Sequence, residues 1–209
     1  MDLDTRRRTR LVDRILGCLE EAAPGSHALL RGSLAGNTAD QYSDIDVLWE
    51  VPDSDFQWCV ASLEKNLSRV RPVTSLRSVP DFQNSEKRRL IFVRFEFIPL
   101  FWRLDLDIFA QSVHRDPEYD LNNPNARGSE WSPTESALMN AVAAVKAHLR
   151  GKDAEARQLL VRAYGRVGLD FPNLELGELI LKLADEVSVM DPKVVVLARD
   201  IGKLVPETF

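Results

Sequence analysis

Two short segments of the chain alternate carboxylates with apolar residues: Asp44-Ile45-Asp46-Val47-Leu48-Trp49 and Leu104-Asp105-Leu106-Asp107-Ile108. Successive side chains on a β-strand point to opposite faces. Each segment therefore reads as a strand with an apolar face and a carboxylate pair, Asp44/Asp46 and Asp105/Asp107. A fold holding both strands must press the apolar faces into a core and turn the carboxylates outward together. If the strands are neighbours, three or four negative charges converge, which raises pKa values unless a cation offsets the repulsion. Hard oxygen donors of this kind suit Mg²⁺. The alternative is an amphipathic sheet whose aspartates meet only water.

The rest of the chain supplies an α+β frame for these strands. Leu11, Val12, Ile15, Leu16 and Leu19 recur at helical spacing over 4–22. A short strand, His27-Ala-Leu-Leu-Arg31, runs into Gly32-Ser33. A helix over about 54–69 packs through Phe56, Val60, Leu63 and Leu67, and an extended segment and two further strands follow. Beyond a polar, Pro- and Asn-rich stretch, helices are expected near 133–150, 152–167, 174–190 and 192–204, the first opened by Ser132-Pro133-x-Glu135. The expected organisation is a small mixed β-sheet domain over 1–112 with helices on one face, a connecting loop over 113–131, and an all-helical C-terminal bundle over 132–209.

The apolar strand ending in Gly32-Ser33, the connector of about ten residues, the Ser43-Asp44-Ile45-Asp46 segment and the later Arg103-Leu-Asp105-Leu-Asp107 strand together resemble the signature of the nucleotidyltransferase fold. That superfamily includes DNA polymerase beta, the aminoglycoside and lincosamide nucleotidyltransferases and the minimal prokaryotic members. The resemblance implies roles for residues in the segment 27–110. Gly32 would let the backbone approach a phosphate, and Ser33 would offer its hydroxyl and amide to the triphosphate. Asp44 and Asp46 would hold two Mg²⁺ ions, and Asp105 would ligate the second ion and help deprotonate the acceptor hydroxyl. Asp107 is the alternative third carboxylate. In the C-terminal half, Lys146 is the candidate basic residue for the nucleotide. Many members carry Arg-Gly where this chain has Gly36-Asn37, a change that Asn tolerates in left-handed backbone.

The activity implied is Mg²⁺-dependent transfer of NMP, AMP from ATP first among them, to a hydroxyl of a small molecule such as an aminoglycoside, with release of pyrophosphate. Glu50, Asp116, Glu118 and Asp120 would suit a cationic acceptor. Transfer to tRNA or protein, and a catalytically silent nucleotide-binding module, are the other readings. The net charge of −5 disfavours a nucleic-acid partner, and the Arg6-Arg7-Arg8 run reads as a solvated helix end. His27, His114 and His148 lack metal-ligand spacing; Arg31, Tyr119 and Trp131 read chiefly as structural. Cys18 and Cys59 fit free thiols, and with no signal or membrane-spanning segment the expectation is a cytoplasmic protein. Oligomeric state is not legible.

Overall fold

A computed structural model describes residues 3–113, 116 and 118–209. The chain forms two compact units, with the boundary between Trp131 and Ser132. No described helix is long and apolar enough to cross a membrane.

The first unit is an α+β layer. In order it contains α1 (Thr5–Ala22), β1 (His27–Leu30), the single turn α2 (Gly32–Ala35), β2 (Ile45–Val51), α3 (Phe56–Leu67), β3 (Val73–Ser78), β4 (Arg88–Phe95) and β5 (Leu104–Ala110). The strands form one sheet in the order β1-β2-β5-β4-β3. Among these strands only β2 and β5 run parallel; the other neighbours are antiparallel. The two strands that carry the aspartates are thus central and adjacent.

One face of the sheet is the core. Ile45, Val47, Trp49, Leu104, Leu106, Ile108, Ile91 and Val93 are all essentially sealed from solvent. They lie on the side covered by α1 and α3, which pack on each other and against β1, β3 and β5. Burying an aliphatic or aromatic side chain of this size contributes about 1.5–3 kcal/mol. Trp49 keeps its indole N–H satisfied by donating to Ser26 Oγ at 3.0 Å.

The second unit contains α4 (Pro133–Leu149), α5 (Asp153–Arg166), α6 (Leu176–Met190) and α7 (Val195–Thr208). Ser132 caps α4 by accepting the Glu135 N–H at 3.1 Å, with Pro133 at the first helical position. Ala137, Ala141 and Ala144 are fully buried, and their small side chains let α4 pack closely. The buried Tyr164 of α5 donates its hydroxyl to the Leu179 carbonyl of α6 at 2.8 Å.

Candidate active site

The parallel register sets Asp46 directly beside Asp105, and Leu48 beside Asp107. Paired residues in a sheet share a face, so all three carboxylates lie opposite the helix-covered core. On the far side of β5, Phe92 is paired with Asp105 and Leu90 with Asp107. These side chains, with Arg31 and Gly32, line an open cleft of about 420 Å³.

Gly32 sits where β1 turns into α2, with φ +58°. A Cβ at this position would collide with Asp46 Oδ2 and stand 3.0 Å from Asp46 Cγ. Left-handed backbone favours glycine, and here the absent side chain is also what makes room for Asp46. The turn is tied to β2 by the Arg31 N–H, which donates to the Asp46 carbonyl at 2.9 Å. Ser33, half-buried in α2, accepts the Thr38 N–H on its carbonyl at 3.0 Å. Asn37 takes φ +54°, so the Gly36-Asn37 substitution keeps a left-handed turn.

Asp44 is set by the loop before β2. Arg8 is buried and donates from Nη1 to the Asp40 carbonyl at 2.6 Å and the Ser43 carbonyl at 2.9 Å. Asp40 accepts the Tyr42 N–H and the Ser43 hydroxyl, each at 2.9 Å, and Trp102 donates to the Gln41 carbonyl at 2.8 Å. Arg8 therefore corrects the reading of the Arg6-Arg7-Arg8 run as a wholly solvated helix end. Its guanidinium needs carbonyls from 32 and 35 positions away, a partner that local sequence does not reveal.

The two later aspartates have different partners. Arg103 grips Asp105 through two parallel hydrogen bonds, Nε to Oδ1 at 2.5 Å and Nη2 to Oδ2 at 2.6 Å, while stacking on Phe92 at 4.2 Å. Burial works to lower the Arg103 pKa, but Asp105, with Asp44 and Asp46 behind it, raises it above the ordinary arginine value. Asp107 is buried between Arg88, whose Nη2 lies 3.4 Å from Oδ2, and Arg31, whose Nη1 lies 3.2 Å from the same oxygen. Burial raises the Asp107 pKa, and Arg88 and then Arg31 act against that rise.

The chain is matched by no protein-family model and by no curated protein. Solved structures similar to it include a cytoplasmic RNA terminal U-transferase (17% identity, TM-score 0.40, 93% of this chain and 52% of that one). Others are the GLD-2/RNP-8 complex (12% identity, TM-score 0.39, 86% and 76%) and the Cid1 poly(U) polymerase (16% identity, TM-score 0.36, 88% and 49%). The chain spans about half the length of the U-transferase and of the poly(U) polymerase.

The donor set at the Asp46–Asp105 pair is hard oxygen, which suits Mg²⁺. Arg103 is already a stand-in cation there, facing Asp105 with Asp44 and Asp46 in its field. The residues therefore fit a divalent cation by chemistry. Among the described residues no group of three His, Cys, Asp or Glu side chains is arranged to hold one.

Other candidate residues lie elsewhere. Lys146 is a half-buried residue of α4, in the helical unit. His27 is exposed on β1 and paired with Glu50. His148 bonds Asp153 at 2.6 Å and stacks on Phe209. His114 lies outside the described residues. Tyr119 packs on a small cluster of Leu48, Phe109 and Val113, and Trp131 lies beneath the Arg77 guanidinium. Of the carboxylates proposed to attract a cationic acceptor, Glu50 is buried. Asp120 is occupied in bracing its loop, accepting from Ser85 at 2.6 Å and Asn123 at 2.7 Å. Three arginines that hold the aspartates or the loop before Asp44 escaped the sequence reading: Arg8, Arg88 and Arg103. Only Arg103, two residues before Asp105 and so on its face, had a usable signal.

Proposed function

We propose that this chain is a Mg²⁺-dependent nucleotidyltransferase that moves NMP from an NTP, with ATP the first choice, onto a hydroxyl. The observation that carries the reading is the side-by-side register of Asp46 and Asp105, with the Gly32 turn folded against Asp46. Asp44, Asp46 and Asp105 would hold the cations. When bound, these would supply charge stabilisation at the triphosphate oxygens and at the attacking oxygen. Asp107 stays outside that set, since its neighbour on β2 is Leu48, whereas Asp105 stands beside Asp46.

The chain's own residues divide the remaining work. Asp105 accepts the proton of the acceptor hydroxyl as that oxygen bonds to the α-phosphorus. The bond from the α-phosphorus to the bridging oxygen breaks, and pyrophosphate leaves with the electron pair. Arg31, held in the cleft by Asp107, offers its remaining N–H groups to the departing phosphates, together with the Ser33 hydroxyl. Lys146 is assigned to the triphosphate on the resemblance alone. Alignment of the hydroxyl with the α-phosphate can contribute about 7–11 kcal/mol of barrier lowering.

For the acceptor, the sequence points to a small polyhydroxylated molecule such as an amino sugar. The burial of Glu50 and the bracing role of Asp120 remove part of the charge argument for it. A nucleic-acid hydroxyl is the second reading, favoured by a four-arginine pocket in the sheet unit. Incubation with labelled ATP and Mg²⁺ against antibiotics, tRNA and lysate proteins tests both. Label is expected in one acceptor class and absent with Asp46→Asn; no labelled product from any class would overturn transferase activity.

A further inference from the structure

Away from the cleft, the sheet unit carries a second concave site of about 210 Å³. Four arginines wall it: Arg7, Arg10 and Arg14 of α1, and Arg71 at the end of the turn after α3. Trp102, Ile98 and Leu11 supply its apolar lining, and among the described residues no acidic side chain contributes to it. Positions 7, 10 and 14 fall three and four apart, so the three guanidinium groups of α1 project from one helix face. Arg14 is fixed in place, donating to the Val70 carbonyl at 2.8 Å. Asp4 caps α1 three residues before Arg7, and Asp13 and Glu21 line a neighbouring hollow with Arg14 and Arg69, where Glu21 is paired with Arg69 at 3.1 Å.

Arg10, Arg14 and Arg71 bring like charges to the rim of one hollow, where they repel. A ligand bearing several negative charges would offset that cost. The site also has a direct physical connection to the aspartates. Trp102, in its wall, donates to the Gln41 carbonyl of the loop leading to Asp44, and it directly precedes Arg103, the partner of Asp105. Arg8, on the same helix, holds the carbonyl of Ser43. Trp102 thus places one wall of the pocket just before the start of β5, near Asp105 in the chain, with the pocket on the helix-covered side of the sheet and the carboxylates on the other.

We infer that this arginine pocket binds successive phosphates of a single-stranded nucleic acid, holding the strand whose terminal hydroxyl is the acceptor. The inference rests on the nucleotidyltransferase reading for the acceptor role, while the binding itself does not. A chain of phosphodiesters matches the feature better than one phosphate does, because the guanidinium groups come from two separate segments and are spread along a helix face. Guanidinium groups bind phosphate through paired N–H donors. The contacts would be to backbone, so affinity should be tolerant of sequence and steep in salt.

The test uses the full chain, a fluorescein-labelled single-stranded RNA ten-mer and anisotropy in EDTA, across a series of salt concentrations. Arg10→Glu/Arg14→Glu is expected to weaken binding at least about tenfold and to lower the salt slope by about two. Arg162→Glu/Arg199→Glu, an equal charge change on exposed residues of the helical unit, is expected to change little. Arg71→Glu is an independent variant on a different segment, to be used if the α1 double variant fails to fold. Absence of binding by the wild type, or equal losses in the two double variants, would overturn the inference. So would competition by inorganic phosphate or ATP as effective as that by unlabelled strand, which would make the ligand a small phosphate. Tighter arginine-dependent binding of a duplex would overturn the single-strand assignment. The wild type separates the two proposals: strand binding without transfer to any acceptor would sink the transferase reading and leave the pocket standing, whereas Asp46→Asn is expected to keep strand binding and lose transfer.

Discussion

Gly32 and Asp46 occupy one space: the position of a Cβ on residue 32 is taken by the Asp46 carboxylate. The turn after β1 and the carboxylate on β2 are therefore one unit, and neither can change alone. Gly32→Ala should lose about 1–2 kcal/mol from its φ of +58°. It should also push Asp46 from its place, so turnover should fall by orders of magnitude, well beyond the stability loss. Urea denaturation and steady-state rates on the same preparation check both. Near-normal turnover would show that Asp46 has no fixed role.

Asp44→Asn and Asp46→Asn should each abolish transfer while the far-side core and the melting transition persist. In the wild type, ATP and Mg²⁺ together should raise the melting temperature through preferential binding to the folded state. That shift should shrink in both variants. Transfer at wild-type rate in either one would refute the assignment.

Asp105 and Asp107 should fail in different ways. Asp105→Ala should reduce turnover by orders of magnitude with nucleotide affinity less affected, because proton acceptance acts in the transition state. Asp107→Ala leaves the buried Arg88 without its carboxylate. Removing one partner of a buried ion pair costs about 3–5 kcal/mol, so this variant should lose stability first. Parallel melting curves and single-turnover rates separate the two, and the reverse pattern would exchange their roles.

Arg103 competes with any cation for Asp105. Arg103→Gln removes that competitor and a positive charge from the field of Asp44 and Asp46. Mn²⁺ affinity, read by electron paramagnetic resonance without nucleotide, should tighten on the order of tenfold. Unchanged or weaker Mn²⁺ binding would mean that the arginine does not stand in a cation's place.

The thiols give a pH prediction independent of the site. Burial pushes Cys59 up to about 11, from an ordinary value of 9.0. Between those values the folded chain keeps a proton that the unfolded chain releases, so stability falls as pH rises through that window. Cys59→Ala should flatten this slope in denaturation curves taken between about pH 8 and pH 11. Native protein near neutral pH should resist a thiol reagent that labels the unfolded chain readily.

The alternation of Asp44–Trp49 and Leu104–Ile108 made the sheet and its two faces legible, because period-two patterning is a local property. The roles of Asp105 and Asp107 were not separable that way, since both lie on one face of one strand. Their distinction comes from what stands opposite: Asp46 and Phe92 for one, Leu48 and Leu90 for the other. The buried arginines were hidden for a related reason. Arg8, Arg88 and Arg103 look like surface charge until their partners are known, and two of the three find those partners 19 or more positions away. Gly32 was legible as a permissive turn, but the particular atom that needs the space was not.

Asp46 and Asp105 lie far apart in sequence, and the one parallel pairing among the described strands brings them together. A parallel pair cannot close through a tight hairpin; the chain must first travel out through α3, β3 and β4 and return. Pairings of such long sequence separation form late and slowly, after the loop-closure entropy has been met. The carboxylate pair should therefore have no partly assembled form on the folding route. Refolding followed by Trp49, sealed within β2, should coincide in time with the appearance of cation binding. The carboxylate pair is thus expected to form only when β5 docks beside β2.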